Sequence, residues 1–306
     1  MYHSENVYLS TNENLKFNPL PSRDFRFIND IKSRFPLHNY KRLGKIISEL
    51  RCRKEPEEIE LMKKACALTN KAFHRVLKFV KPGVNEYEIE AEIIHEFLRN
   101  GANGHAYPPI VASGKNACIL HYPDNDKKCK DGDLVLMDFG ADYANYSADT
   151  TRTIPVNGKF SPRQREIYEA VLRVLRKAIS LMIAGKTINS FNKEVNKIME
   201  NELIGLSLFT KEDVEKQDAD NPMYFKYFMH GTSHFIGLDV HDTGTKDTVF
   251  EPGMVLSCEP GIYIEEENIG IRLENDILIT EGKPVDLLKD EPLEPDEIEQ
   301  LMAERE

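Results

Sequence analysis

The sequence contains no tryptophan and only five cysteines among its 306 residues. The cysteines are odd in number, are scattered and form no Cys-x-x-Cys pair, which argues against a disulfide framework and against a thiolate zinc site. Long hydrophobic runs are also absent, because no stretch approaches the roughly 18 apolar residues of a membrane-spanning helix and the first residues contain no apolar signal segment. We therefore expect a cytoplasmic protein that does not span a membrane.

Basic side chains are outnumbered, because 40 lysine and arginine residues face 51 aspartate and glutamate residues, giving a formal net charge of -11. This balance argues against binding to a nucleic-acid backbone or to an anionic membrane surface. Hydrophobic residues make up 41% of the chain and charged residues 30%, which is typical of a globular protein with its own core. The expected partners are small, neutral or cationic, and are neither nucleic acids nor membranes.

Helix and strand signals follow one another clearly after residue 57. Apolar residues recur there at every third or fourth position, which predicts a helix that ends at a Pro-Gly pair. Asn85 and Glu88 resemble a capping box and predict the start of a second helix. Short apolar runs then predict strands over residues 134–137, 154–156, 254–256, 262–264 and 277–279.

The same order of elements occurs twice along the chain. Ser161 and Pro162 predict the start of another helix, Gly185 predicts its stop, and apolar residues over 195–199 predict a partner helix before the last strands. In each part, a histidine lies 17 or 18 residues before the first of two carboxylates. These residues are His121, Asp138 and Asp149 in the first part, and His241, Glu259 and Glu274 in the second. We infer two related halves that contribute to one shared centre.

Two segments are rich in residue types that bind metals. Asp138 ends an apolar strand and Asp149 begins another after a polar turn, so a hairpin would bring the two carboxylates together. Either residue alone is by default a turn residue. His230, His234 and His241 lie within twelve residues, and imidazole is the commonest metal ligand in proteins. A single histidine is by default a hydrogen-bonded, half-buried side chain, but three so close together favour a functional site.

Two more carboxylates interrupt apolar segments. Glu259 follows a buried strand directly, and Glu274 lies between two further apolar stretches. Burial of a charged group is costly unless the group is paired or binds a metal. The alternative to a metal site is therefore a buried salt bridge to Arg272 or Arg152. The four carboxylates and His234 together form an oxygen-rich donor set with one imidazole.

The chemistry of this donor set indicates which metal it would bind. Oxygen ligands with one nitrogen and no thiolate suit Mn²⁺, with Co²⁺, Fe²⁺ or Zn²⁺ as alternatives. Four carboxylates overcharge one divalent ion and balance two, so we expect a two-metal centre. Two ions about 3.5–4 Å apart can activate a bridging water and stabilise an oxyanion during hydrolysis. The remaining histidines would contact substrate or transfer protons: His121, His230 and His241.

Over residues 51–285, the sequence resembles the pita-bread metallopeptidases and, within them, the Xaa-Pro aminopeptidases. The segments that carry the resemblance are RKEPEEIELMKKA, CILHY, LVLMDFGADYANYSADTTRT, HGTSHFIGLDVHD, CEPGIYI and GIRLEND. The resemblance implies an α+β, pita-bread (creatinase/aminopeptidase) fold, with two pseudo-symmetric αβ halves around a curved antiparallel sheet. Residues 51–306 would form the catalytic domain. Residues 1–50, which are polar apart from a weak amphipathic stretch over 27–47, would be a remnant or lead-in of the N-terminal domain that full-length relatives carry.

The resemblance also assigns roles by position. The implied ligands of two divalent ions, with Mn²⁺ preferred, are Asp138, Asp149, His234, Glu259 and Glu274. Glu259 would also be the proton shuttle, while His121 and His241 would contact substrate and stabilise the tetrahedral intermediate. His230 would line the proline-side pocket, and Arg272 would be a partner of the ligand carboxylates. The implied activity is release of the N-terminal residue from peptides with proline at position 2, by a hydroxide that the two metals activate.

Other functions stay open at this point. Ser233 beside His234 resembles aminopeptidase P more than prolidase, yet a prolidase acting on X-Pro dipeptides is the nearest alternative. An inactive truncated protein, or a binding protein of the same fold, is a further alternative, although loss of metal ligands would mark such a protein and all five are present. A homo-oligomer also stays open, because the N-terminal domain of relatives helps to build their oligomers.

Two remaining segments carry weaker signals. Tyr107, Pro108 and Pro109 are interpreted as the entry to a strand. The acidic residues 287–306 are interpreted as a solvated helix or terminus without a site.

Overall fold

The computed structural model describes residues 4–10, 22–218 and 221–304, and the chain divides into two compact units, residues 1–51 and 52–306. The elements before residue 53 are β1 (Asn6–Leu9), α1 (Arg23–Arg34), β2 (Asn39–Arg42) and α2 (Gly44–Cys52). Strands β1 and β2 pair in parallel. The amphipathic stretch over 27–47 is thus divided among three elements, since α1 ends just before Pro36 and the residue preceding a proline disfavours the helical conformation.

The second unit begins with a helix pair followed by short strands, as the sequence predicts. The capping box is confirmed, because the Glu88 carboxylate accepts a hydrogen bond from the Asn85 backbone N–H (2.6 Å). The elements are α3 (Pro56–Phe79), α4 (Glu86–Arg99), β3 (Gly104–His105), β4 (Ile110–Ser113), β5 (Leu134–Phe139), β6 (Ala141–Tyr143), β7 (Tyr146–Ser147) and β8 (Thr150–Pro155).

The same order is repeated in the rest of the chain, which confirms the predicted repeat. Ser161 caps the third long helix, because its hydroxyl accepts from the Gln164 amide (3.2 Å) while the Gln164 side chain accepts from the Ser161 amide (2.9 Å). The elements are α5 (Pro162–Leu181), α6 (Ile188–Gly205), α7 (Lys211–Glu215), β9 (Val255–Cys258), β10 (Gly261–Ile264), β11 (Ile269–Arg272), β12 (Asn275–Leu278), β13 (Val285–Asp286) and α8 (Pro295–Ala303).

Strand register brings the two halves together at their polar ends. Strand β5 pairs antiparallel with β4 and β8, which places Asp138 opposite Thr151. An isolated bridge then pairs Thr151 with Glu274 of the second half. There β12 pairs with β9, and the register places Asn275 opposite Cys258, the neighbour of Glu259. Carboxylates from both halves therefore meet along one seam.

Strand β8 extends further than its apolar run predicts. It begins at Thr150, and its threonines are buried although they are polar. Their hydroxyls are satisfied by the second half, since Thr150 donates to the Glu274 carbonyl (3.1 Å) and Thr153 to the Arg272 carbonyl (3.2 Å). Buried polar groups with partners are tolerated in a core, so hydropathy alone misses this part of the strand.

The prediction of a solvated acidic terminus is wrong. Helix α8 packs on the core through Ile298 and Met302, both of which are buried. The acidic segment before it is also buried at one point, where the Glu291 carboxylate lies 3.2 Å from the Arg152 Nε and accepts from the Thr150 hydroxyl (2.9 Å). The charged residues of α8 lie mainly on its outer face, and the apolar stripe beneath them decides where the helix lies.

Replacement of Ile298 by Ala tests this docking. Removal of a fully buried isoleucine side chain is expected to lower the free energy of unfolding by about 2–4 kcal/mol, because a cavity remains in the core. Urea unfolding monitored by circular dichroism measures the change, with the exposed Glu304→Ala variant as the control. Equal stability of the two variants would show that α8 does not contribute to the core.

Candidate metal centre

Two adjacent strands place the first pair of carboxylates. Asp138 lies near the end of β5, and Asp149 directly precedes β8, its antiparallel neighbour. The Asp149 backbone N–H donates to the buried Asp276 carboxylate (2.9 Å), which fixes the backbone directly before β8. The hairpin predicted from the sequence is thus confirmed, and both carboxylates line one cleft.

The second half contributes the imidazole and the other two carboxylates. Nε2 of His234 lies 3.3 Å from an Asp149 carboxylate oxygen and 3.8 Å from a Glu259 oxygen. Single ligand atoms of Asp149, His234 and Glu274 all lie within 4.8 Å of one another. The five predicted ligands therefore line the same cleft, although they come from segments far apart in the chain.

This cleft has a volume of about 570 Å³ and takes its walls from both halves of the second unit. The histidines predicted to act on substrate line it together with the carboxylates: His121, His230 and His241. Arg272, the predicted partner of the ligand carboxylates, lines it as well. Apolar and proline side chains complete the lining, among them Pro108, Pro109, Leu120 and Val240. A partly apolar cleft with a few convergent polar groups is the usual form of a ligand site.

Burial gives the carboxylates unusual proton affinities. Desolvation raises the pKa of Glu259 to about 7, and it raises the pKa of Glu274 well above its ordinary value. Desolvation, with the nearby Asp149 charge, also raises the pKa of Asp138 against the lowering effect of Arg272. Carboxylates that are buried this close together repel one another when they are ionised. Bound cations would relieve that repulsion.

His234 fits a metal ligand in its hydrogen bonding. Its Nδ1–H donates to the Phe235 carbonyl (3.1 Å), which leaves Nε2 facing the Asp149 carboxylate at 3.3 Å. Burial lowers the pKa of His234, but the hydrogen bond to Asp149 and the Glu259 charge outweigh it and raise that pKa to about 9. A cation between Nε2 and the carboxylate, either a proton or a metal ion, is therefore strongly favoured here.

The salt-bridge alternative holds for one carboxylate only. Arg272 Nη2 donates to Asp138 (2.7 Å), so the predicted partnership between this arginine and a ligand carboxylate is present. Arg152 instead pairs with Glu291 and reaches Glu274 only at its backbone carbonyl (2.6 Å). Within the described part of the chain, neither Glu259 nor Glu274 forms an ion pair with an arginine, and both stay available to a metal ion.

His230 lies beside Glu259 in a neutral, oriented form. Its Nδ1–H donates to the Gly231 carbonyl (2.8 Å), and its Nε2 accepts from the Tyr263 hydroxyl (2.9 Å). Burial and the positive charge of Arg272 lower the pKa of His230 to about 4. Because Arg272 also donates to the Tyr263 oxygen (3.0 Å), the ring is held by a chain of hydrogen bonds.

Tyr107 is a site residue that sequence reasoning missed. Its hydroxyl donates to Asp138 (2.7 Å) and also contacts Asp149, so it bridges the two carboxylates of the first half. The sequence interpretation treated this tyrosine and the two prolines after it as a strand entry. The two prolines keep the chain extended toward β4. Strand β4 pairs with β5 so that Ile110 lies opposite Asp138, and this pairing places Tyr107 beside Asp138.

This cleft, with its buried carboxylates and oriented imidazole, has the donor set of a metal-dependent hydrolase. Residues 60–281 match metallopeptidase family M24, so the chain belongs to this family. The donors fit the metal that the family implies, because they are oxygen-rich, contain one imidazole and lack cysteine among the cleft-lining residues described.

The chain is similar in sequence and in structure to proline-specific peptidases. The chain is 44% identical to the Xaa-Pro aminopeptidase of Escherichia coli over 270 residues, which are 84% of this chain and 61% of that protein. It is 33% identical to the Xaa-Pro dipeptidase of Pyrococcus furiosus over 271 residues, which cover 87% and 72% of the two chains. The solved structure of zinc-substituted E. coli aminopeptidase P with product superposes with a TM-score of 0.87 at 38% identity, covering 98% of this chain and 71% of the other.

These comparisons confirm the predicted pita-bread fold, with its helix pairs and antiparallel strands. The chain spans less than two thirds of the length of the E. coli relative. No helix in residues 4–10, 22–218 or 221–304 is both long and apolar enough to cross a bilayer.

Proposed function

We propose that the protein is a Xaa-Pro aminopeptidase that removes the N-terminal residue from peptides with proline at position 2. The observation that carries the proposal is the convergence of the five predicted ligands and three further histidines on one cleft. The E. coli relative, named for this activity, supports it at 44% identity. The preferred metal is Mn²⁺, with Co²⁺, Fe²⁺ or Zn²⁺ as alternatives, and the donor types support two divalent ions.

The proposed ligands are Asp138, Asp149, His234, Glu259 and Glu274. Two bound ions would lower the pKa of a water and polarise the carbonyl before proline. Glu259 would take the proton of the water and pass it to the proline nitrogen that leaves. Arg272 would hold Asp138 in place through its hydrogen bond, and Tyr107 would fix Asp138 relative to Asp149.

The histidines that we do not assign to a metal would act on substrate. His241 lies next to the ligand His234, with ring centroids 4.3 Å apart, and would donate to the developing oxyanion. His121 lines the wall that the first half contributes and would contact the peptide. His230, held by Tyr263, would line the pocket for the proline ring.

One assay tests the proposal directly. The purified chain is incubated with Arg-Pro-Pro and Mn²⁺, with and without EDTA, and the products are identified by mass spectrometry. Metal-dependent release of free arginine is expected. No cleavage of the tripeptide under any metal would overturn the proposed activity.

The second candidate is a dipeptidase, which the similarity to the P. furiosus Xaa-Pro dipeptidase favours. A parallel assay with X-Pro dipeptides separates the two functions, since a dipeptidase cleaves the dipeptide and leaves Arg-Pro-Pro intact. Ser233 in the cleft wall, as in the pattern of aminopeptidase P, is our reason for placing the aminopeptidase first.

We further propose that residues 51–306 are the catalytic domain and residues 1–50 a lead-in or remnant of the N-terminal domain found in longer relatives. The division of the chain after residue 51 supports this assignment. Cytoplasmic location and a homo-oligomer stay predictions.

Replacement of His241 by Ala is expected to lower kcat by about a hundredfold, as loss of one oxyanion donor does. Metal content should not change, because the role of His241 is on substrate. Steady-state kinetics and elemental analysis of the purified variant measure the two quantities. The exposed His95→Ala variant is the control, and retention of wild-type kcat by His241→Ala would refute the assigned role.

A further inference from the structure

A buried carboxylate outside the metal centre organises one wall of the cleft. Glu86 is the first residue of α4 and has no exposed surface. Among the described residues, no lysine or arginine forms an ion pair with it, and the nearby Lys127 pairs with Asp126 instead (2.7 Å). A buried charge without an ion pair needs hydrogen-bond donors to replace its lost hydration.

All of these donors come from one segment, residues 113–127, which we call the His121 loop. One Glu86 oxygen accepts from the Ser113 amide (2.7 Å), the Ser113 hydroxyl (2.6 Å) and the Asn116 side chain (3.5 Å). The other oxygen accepts from the Tyr122 hydroxyl (3.0 Å) and the Lys127 amide (2.9 Å). Glu86 thus holds both ends of the loop and the neighbour of His121.

The opposite side of the loop rests on the second half of the fold. A Cβ atom on Gly270, in β11, would lie 2.2 Å from the Ala117 carbonyl oxygen, so the two backbones are in direct contact. Between these two supports, residues 120–123 face the cleft and present His121 to it. The position of His121 is therefore set by contacts on both sides of the loop.

We propose that Glu86 is a positioning residue for the proposed peptidase reaction, acting through the His121 loop to hold His121 against the substrate. The N-terminus of α4 favours a negative charge at this position, and every polar contact to the side chain comes from a donor of the loop. The inference rests on the proposed function for its kinetic readout, but it also predicts an effect on the loop that needs no activity.

Replacement of Glu86 by Gln tests the proposal most directly, because it changes the hydrogen bonding of this side chain with little change in shape. In either orientation, the new NH₂ group faces a backbone N–H, that of Ser113 or that of Lys127, so one donor loses its acceptor. Tyr122→Phe is the milder variant, because it removes the hydroxyl contacts of Tyr122 with Glu86 (3.0 Å) and Asp126 (3.4 Å) and leaves the two backbone donors to Glu86 in place. Tyr87→Phe, at an exposed position of the same helix turn, is the matched control.

A double-mutant cycle separates positioning from general stability. Glu86→Gln is expected to lower kcat/KM for Arg-Pro-Pro by roughly tenfold to a hundredfold, because a small displacement of a substrate-contacting group has effects of that size. In the His121→Ala background, the same change should cost less than about twofold, since the group that Glu86 positions is already gone. Ile298→Ala, destabilised at the far helix α8, should keep its kcat/KM.

Equal losses in both backgrounds, or an unchanged kcat/KM in Glu86→Gln, would overturn the proposal. Hydrogen–deuterium exchange supplies the readout that is independent of activity. Amides of residues 119–127 should exchange faster in Glu86→Gln and Tyr122→Phe than in the wild type or Tyr87→Phe. If the wild type does not cleave Arg-Pro-Pro, the proposed function fails, and unchanged exchange in both variants would then separately refute the role of Glu86 in the loop.

Discussion

Replacement of Glu259 by Gln is expected to lower kcat for Arg-Pro-Pro by roughly a thousandfold or more, because it would remove the proposed proton shuttle and the charge of one proposed ligand together. The fold should be retained, since glutamine has nearly the same shape and the change relieves repulsion among buried acids. Burial, and to a smaller extent that repulsion, raises the pKa of Glu259 to about 7. Steady-state kinetics and thermal unfolding of the purified variant measure the two effects.

The exposed Glu281→Gln variant is the control for this experiment, because it removes the same charge outside the cleft. It should keep the kcat of the wild type. Wild-type kcat in Glu259→Gln would show that the carboxylate is neither ligand nor proton shuttle, and the site assignment would then be wrong at its most important residue.

The second large effect is expected from Asp149→Asn combined with metal removal. Asp149 belongs to the group of donors that lie within 4.8 Å of one another, and its carboxylate faces Nε2 of His234. We expect EDTA to abolish peptide cleavage by the wild type and Mn²⁺ to restore it. Asp149→Asn should not be restored at the same Mn²⁺ concentration, because an amide is a much weaker ligand than a carboxylate.

The stability of the protein gives a separate measure of the same site. A ligand at a hundred times its Kd stabilises the folded state by about 2.7 kcal/mol, so Mn²⁺ should raise the unfolding temperature of the wild type. Asp149→Asn should lose this shift, and the exposed Asp290→Asn variant should keep it. An equal shift in all three proteins would place the metal elsewhere.

The cleft carboxylates that we propose as ligands could be singled out from the sequence because each is marked by a local feature. Glu259 follows an apolar run directly, and a carboxylate at that place is costly without a partner. Asp138 and Asp149 lie on the two arms of one hairpin, whose outer part forms β6 and β7, so the antiparallel pairing of the arms brings them together. The sequence signals for the helix starts at Asn85 and Ser161 were also local, since a capping box involves only four consecutive residues.

Other features depend on contacts between distant segments. Tyr107 reaches Asp138 only because β4 pairs with β5 in one particular register, and its sequence neighbours are ordinary strand-entry residues. The buried polar start of β8 depends on carbonyl groups of the second half, more than a hundred residues away. Helix α8 was interpreted as solvated because its acidic residues are visible in the sequence, whereas the surface that covers Ile298 and Met302 is not.

The sequence by itself therefore determined the repeated helix–strand order and the residue types of the proposed donor set. Only the tertiary structure decided which side chains contact those donors, namely Tyr107, Arg272 and Thr151. It also decided that Glu86 bonds to the loop that carries His121. The physical reason is that hydrophobic spacing and caps act within a few residues. The register between strands and the packing of the two halves instead set which distant polar groups meet.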